Sequence, residues 1–212
     1  MRWLLYIPAV IVTVLMFIYD PEIISLIAGL RSPFLNSLSV FITNIPLSAI
    51  VFITIVLAFF AGKRLKLASL LKGRIDFALY LASLAATGLI VTVMKYAVGR
   101  IRPFIALKLP LVEHIPYAAF SANASFPSGN ASLTFVLLPF LYKHKGLFAV
   151  WLAFSVIVSM NRLYTGLHYP GDVIAGAIIA LFIGHMALCL RNRLQMPQIF
   201  IYLLSVIVII LL

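Results

Sequence analysis

Long apolar runs separated by short polar or basic breaks dominate the chain. A helix needs about 20 mostly apolar residues to cross a bilayer. Runs 3–19, 38–61, 76–97, 128–142, 147–164 and 171–190 meet or approach that length and are expected to span. Run 128–142 is short, which suits a helix whose ends are buried in protein. Run 198–212 is also short and is expected to tilt, cross a thin region or pack on the bundle. Segment 22–37 alternates polar and apolar residues around Arg31 and Pro33 and reads as an interfacial amphipathic helix or a loop. No internal repeat or low-complexity tract interrupts the pattern. The expected fold is all-α. It is a single polytopic membrane domain over residues 1–212, with six core transmembrane helices and a short C-terminal run that would make a seventh.

Composition sharpens this picture. Of 212 residues, 64% are hydrophobic and 10% charged, with a mean hydropathy of +1.17. Soluble domains carry about 25% charged residues, and disorder requires low hydrophobicity, so a soluble enzyme and a disordered chain are both excluded. The first run follows Met1-Arg2 as a signal peptide would. It lacks a small-x-small cleavage site and ends in Asp20-Pro21, so it is expected to be retained. The formal net charge is +11. In a soluble protein that excess would point to nucleic acid. Here the basic residues lie between apolar runs, which points to membrane topology, and no nucleic-acid partner is expected. Cys189 is the single cysteine, and His114, His144, His168 and His185 lack metal-ligand spacing, so neither a metal nor another cofactor is expected.

Cytoplasmic loops carry an excess of Lys and Arg. With Arg2 and the N-terminus inside, three basic groups fall inside as well: Lys63, Arg64, Lys66, Lys72 and Arg74, then Lys143 and Lys145, then Arg191 and Arg193. The remaining cations, Arg31, Lys95, Arg100, Arg102, Lys108 and Arg162, fall on the outer side, most of them within 95–108. Topology does not require that outer concentration, whereas an anionic ligand would.

Three segments meet there. Residues 95–103 read Lys-Tyr-Ala-Val-Gly-Arg-Ile-Arg-Pro. Ionisable groups at membrane depth are expensive and usually functional, although snorkelling of Lys95 and Arg100 to the headgroups is the bland alternative. Residues 126–130, Phe-Pro-Ser-Gly-Asn, precede an apolar run and resemble a helix start, whose free N–H groups and dipole favour an anion. An ordinary N-cap by Ser128 accounts for the same residues. Residues 161–172 put His168 just before the sixth helix and Asp172 in its first turn. A carboxylate at that spacing can fix an imidazole tautomer and stabilise its cation; a helix-start Asp favoured by the dipole is the alternative. Each segment alone is weak. On one membrane face they combine cations and N–H groups for phosphate oxygens with a nucleophile or base, the equipment for phosphoryl transfer through a covalent phosphohistidine.

Together the segments resemble the signature of the type 2 phosphatidic acid phosphatases (PAP2 lipid phosphatases): Lys-x6-Arg-Pro, then Pro-Ser-Gly-His, then Ser-Arg-x5-His-x3-Asp. The chain has Lys95-x6-Arg102-Pro103, Pro127-Ser128-Gly129-Asn130 and Asn161-Arg162-x5-His168-x3-Asp172. The motif region covers 95–172, and the helix pattern extends the resemblance over most of the chain. The resemblance implies an integral membrane lipid phosphatase of the cell (inner) membrane, with a cytoplasmic N-terminus and an extracytoplasmic site. Its substrate would be a phosphate mono- or diphosphate ester of a lipid in the bilayer. The resemblance further implies that Lys95, Arg102 and Arg162 hold the phosphate with Ser128 and Gly129, that His168 is the nucleophile, and that Asp172 is its orienting partner. Arg100 is not a motif position and reads as a headgroup contact.

Two positions depart from the signature. Asn161 replaces a Ser beside Arg162, and both are small and polar. Asn130 replaces the family's second His, which protonates the leaving group; an amide cannot do so at neutral pH, and general acid catalysis contributes about 10²–10⁴-fold. Three readings stay open. Asn130 is an engineered substitution that traps substrate or stabilises the protein; or the substrate's leaving group needs little protonation, as in a pyrophosphate or an anomeric sugar phosphate; or the chain is a lipid-phosphate-binding protein with little turnover. A transporter or channel fits less well, because transporters place their sites near the midplane. Candidate lipids are an isoprenoid pyrophosphate, phosphatidylglycerol phosphate, phosphatidate and lipid A 1-phosphate. Gly176, Ala180 and Gly184 form a small-residue stripe expected to support the His168–Asp172 end. The 104–125 loop, long and partly apolar, is expected to rest on the membrane as a lid or lateral entrance.

Overall fold

The computed structural model describes residues 6–44, 74–142 and 145–190. Residues 45–61 of the second expected span, the basic positions Lys63, Arg64, Lys66, Lys72, Lys143, Arg191 and Arg193, and the run 198–212 lie outside the described residues. The elements are α1 (Tyr6–Gly29), α2 (Pro33–Asn44), α3 (Arg74–Val98), α4 (Pro103–Ala106), α5 (Gly129–Phe135), α6 (Leu138–Leu141), α7 (Lys145–Tyr164) and α8 (Pro170–Leu190), with a 3-10 turn at Tyr117–Ala119. No strand occurs among the described residues. The chain is an all-helical, multi-pass membrane protein: α1, α3, α7 and α8 are each long and apolar enough to cross a bilayer. Ile11, Ile18, Leu26, Val93, Val150 and Ile157 stand exposed on them, as side chains facing lipid do.

Two expected boundaries move. α1 continues through Asp20-Pro21 to Gly29. Proline removes one backbone donor, but in apolar surroundings the remaining backbone groups are best satisfied by more helix, and Ser25 Oγ donates to the Pro21 carbonyl at 2.8 Å. Segment 22–37 is therefore not one interfacial element; it closes α1, turns at 30–32 and opens α2. Run 128–142 is in turn divided into α5 and α6. Pro139 lacks the N–H that would bond the Phe135 carbonyl, and the Phe140 N–H reaches back only to Leu137 at 3.0 Å, a tightened turn.

α8 is the central helix and packs against α1, α3, α5 and α6, while α7 lies on α5, α6, α1 and α2. The small-residue stripe makes this possible. A Cβ on Gly176 would lie 2.6 Å from the Ser128 carbonyl oxygen, and one on Gly184 would lie 2.9 Å from Pro139 Cγ. Ala180 is fully buried among Leu79, Tyr80, Val136 and Phe140. Ile24, Ala131, Leu163, Tyr169 and Val173 form a second buried cluster where α1, α5, α7 and α8 meet.

The 104–125 loop is a pinned cap rather than a free lid. Val112, Ile115 and Tyr117 are buried with Leu167. Tyr117 Oη donates to the Thr165 carbonyl at 2.7 Å. Arg31 reaches the carbonyls of Tyr164, at 2.9 Å, and Pro110.

Candidate active site

The three motif segments converge at one end of the bundle, and backbone hydrogen bonds hold them there. The Arg102 N–H donates to the Ala122 carbonyl and the Ser125 N–H to that of Arg100, both at 3.0 Å, fastening 100–102 against 122–125. The Ser128 N–H donates to the Asp172 carbonyl at 2.9 Å, joining the start of α5 to α8. The N–H groups of Leu167 and His168 both donate to the Arg162 carbonyl and close the end of α7.

His168 is buried, with Nδ1 2.6 Å from the Ser125 carbonyl oxygen. A carbonyl only accepts, so Nδ1 carries the proton and Nε2 keeps its lone pair. Nε2 faces Arg102 Nη1 at 3.3 Å. Burial holds the imidazole pKa down at about 4; the Asp172 carboxylate opposes this, while Arg102 and Lys95 push it further down. The ring is thus neutral at pH 7. Asp172 does not orient the ring by close contact, since its Oδ2 lies 3.7 Å from Nδ1. It holds Ser125 instead: Ser125 Oγ donates to Asp172 Oδ2 at 2.5 Å, and the Tyr169 N–H donates to the same oxygen at 2.9 Å.

The other expected residues gather around the ring. Arg102 is buried and donates from Nε to the Ser121 carbonyl and from Nη1 to that of Leu167, each at 2.8 Å. Its Nη2 makes no bond among the described residues. Arg162, also buried, donates from Nη2 at 2.7 Å and from Nε at 2.9 Å to the Asn130 amide oxygen, the orientation its hydrogen-bonding neighbours require. Lys95 Nζ donates to the Ala124 carbonyl at 2.5 Å, and its Cε lies 4.0 Å from where a Gly129 Cβ would be. Ser128 stands at the N-cap of α5 but makes no cap bond. Its Oγ is buried with no partner among the described residues, a state that costs about 1–3 kcal/mol unless a ligand supplies one.

Arg100 is not a headgroup contact. Its Nη1 donates to Asp172 Oδ1 at 2.6 Å and its Nη2 to Asp20 Oδ2 at 2.8 Å. The guanidinium lies against the rings of Phe17 and Tyr169, at 4.4 and 4.0 Å from their centroids. Asp20, read from the sequence only as a helix end, is fully buried. A carboxylate buried in an apolar helix calls for a cationic partner, and that signal was available in Asp20. Ser125 contributes mainly a carbonyl, which no side-chain pattern encodes.

The family model described as the PAP2 superfamily matches residues 76–196. The chain is 32% identical to the lipid A 1-phosphatase of Rhizobium johnstonii over 93 residues, 42% of this chain and 37% of that protein. It is 26% identical to the undecaprenyl-diphosphatase BcrC of Bacillus subtilis over 172 residues, 78% of this chain and 80% of that protein. The crystal structure of a transmembrane PAP2 type phosphatidylglycerolphosphate phosphatase from Bacillus subtilis shares the fold, with a TM-score of 0.64 at 22% identity, covering 90% of this chain and 97% of that one. Against the lipid A phosphatases it matches, the chain spans less than half of the relative's length.

Proposed function

The chain belongs to the PAP2 superfamily, and from that premise we propose that it is a membrane phosphatase that removes the terminal phosphate of a lipid diphosphate through a phosphohistidine at His168. The observation that carries this reading is the engagement of Asn130. Its amide oxygen accepts both N–H groups that Arg162 turns toward it. An amide has no proton to give at neutral pH, so the leaving group must depart without one.

The terminal phosphate sits among Lys95, Arg102, Arg162, Ser128 Oγ and the Gly129 N–H. Fixed cations there stabilise the charge that spreads over the equatorial oxygens in the transition state. The His168 Nε2 lone pair attacks phosphorus, the bond to the bridging oxygen breaks, and its electron pair leaves with the lipid monophosphate. The ring, now phosphorylated and cationic, keeps its Nδ1 proton on the Ser125 carbonyl beside the Asp172 charge. Water then attacks phosphorus and the Nε2–P bond returns its pair to nitrogen. Orthophosphate and one proton are released.

A lipid monophosphate is a good leaving group because its second pKa is about 6; a simple alkoxide is not. The undecaprenyl-diphosphatase activity named for the Bacillus subtilis relative, matched over most of both chains, supports this class. A lipid sugar 1-phosphate, whose anomeric oxygen leaves more readily than an alkoxide, ranks next. The site faces the extracytoplasmic side and the N-terminus is cytoplasmic, as the distribution of basic residues favours. Side chains supply the positive charge, so turnover should survive chelation of divalent metals.

Phosphate release from a panel of isoprenoid pyrophosphate, lipid A 1-phosphate, phosphatidylglycerol phosphate and phosphatidate tests the reading. With Asn130, the diphosphate should be cleaved at least about 100-fold faster than phosphatidate, the size of a missing general acid. Asn130→His should narrow that gap by accelerating the alkyl phosphates. Equal rates with either residue contradict the role given to position 130, and binding without release from any lipid makes the chain a binding protein.

A further inference from the structure

We propose that Asp20, on α1 and outside the stretch the family model matches, is a positioning residue for His168 that acts through Arg100 and Asp172; this rests on the nucleophile assignment above. Arg100 is shared by two buried carboxylates, Asp172 at 2.6 Å and Asp20 at 2.8 Å. Were Arg100 paired with Asp172 alone, its charge would cancel the field of that carboxylate at the imidazole. Asp20 takes up the second half of the guanidinium and leaves Asp172 with negative charge to offer the ring. That charge matters most once Nε2 carries a phosphoryl group and the ring is a cation. Asp20 therefore acts on the chemical step more than on binding.

The local geometry leaves little freedom. Asp20 Oδ1 accepts the Gly171 N–H at 2.8 Å. A Cβ on Gly171 would lie 2.9 Å from Asp20 Oδ2, so the start of α8 is closed down on this carboxylate. The rings of Phe17, one turn earlier on α1, and of Tyr169, next to His168, both lie against the Arg100 guanidinium. Two carboxylates and a guanidinium are an expensive way to join α1 to α8, because each must leave water. Apolar contacts would do that alone. The network also sets the charge of the site: Lys95, Arg100, Arg102 and Arg162 against Asp20 and Asp172 leave a net +2, the complement of a phosphate dianion.

The test compares the parent with Asp20→Asn, which keeps the shape and the acceptor for Gly171 but loses the charge. With farnesyl diphosphate in detergent micelles as the probe, kcat should fall about 10- to 100-fold. The Kd for inorganic phosphate should instead tighten, about 3-fold, because the site gains one positive charge. Damage to structure would weaken both. In an Arg100→Gln background, Asp20→Asn should change kcat by less than about 2-fold, since the route through Arg100 is already cut. If Asp20→Asn does not fold, Arg100→Lys serves; it keeps the charge but cannot bridge both carboxylates, so kcat should fall while the Kd for inorganic phosphate stays within about 2-fold. The His168 signal in 15N-histidine NMR, assigned with His168→Gln, should move in Asp20→Asn whether or not the probe is cleaved. A shifted signal and tighter phosphate binding in a protein that cleaves no lipid support the positioning role and contradict the proposed function. Unchanged kcat and phosphate affinity, parallel losses of both, full additivity with Arg100→Gln, or a parent that neither cleaves nor binds phosphate each overturn the inference.

Discussion

The His168 imidazole enters the reaction neutral because loss of water around the ring outweighs the pull of Asp172, leaving its pKa at about 4. The sign follows directly. A depressed pKa means that the nucleophilic form persists as pH falls and is lost only below that value. Corrected for ionisation of the substrate phosphate, kcat/KM should show no protein limb at the ordinary histidine value of about 6.5; its acid limb should lie well below. A limb at 6.5 would mean that the ring is wetter than its burial indicates. The resemblance carried by the motifs in 95–172 singled out Lys95, Arg102, Ser128, Gly129, Asn130, Arg162, His168 and Asp172, and the structure brings those segments together. The spacing did not reveal what each touches. The Nδ1 partner is a backbone carbonyl, the partner of Arg162 is the substituted amide, and the partner of Asp172 is an arginine outside the signature. Such pairings depend on how segments cross, which no local pattern contains.

Among the helices, the contact between α5 and α8 does most to keep Ser128 in register with Asp172. Gly176→Ala would put a methyl 2.6 Å from the Ser128 carbonyl oxygen and force the helices apart. Overpacking of this kind costs about 1–3 kcal/mol, so thermal unfolding in detergent should fall by several degrees and kcat should fall with it. Gly184→Ala meets Pro139 at 2.9 Å, far along α8 from the motifs. It should lower stability similarly while sparing kcat; equal effects on kcat would deny the α5–α8 contact its special place. The stripe was legible because small residues at four-residue spacing mean close helices. The helix ends were less so. Pro21 and Pro139 look alike in sequence, yet α1 runs on past the first while the second divides α5 from α6.

At the scale of the molecule, run length and hydropathy were enough to establish a polytopic helical bundle, because a membrane allows few alternatives. They could not show that α1 supplies a carboxylate to the far motifs, since Asp20 is 152 positions from Asp172 and only the folded bundle joins them. Sidedness is a prediction at this scale. Asn123 lies exposed at the site end, and Lys145 lies exposed at the opposite end of α7. In a Cys189→Ser background, a membrane-impermeant maleimide added from outside should label Asn123→Cys and not Lys145→Cys; the reverse pattern would invert the topology. The most direct measurement of the central claim is acid-free rapid quenching of the protein with a lipid diphosphate carrying 32P in its terminal phosphate. The account predicts an alkali-stable, acid-labile label that forms within one turnover, maps to His168 and is absent from His168→Ala. Phosphate released with no label on His168, or released at an undiminished rate by His168→Ala, would contradict it.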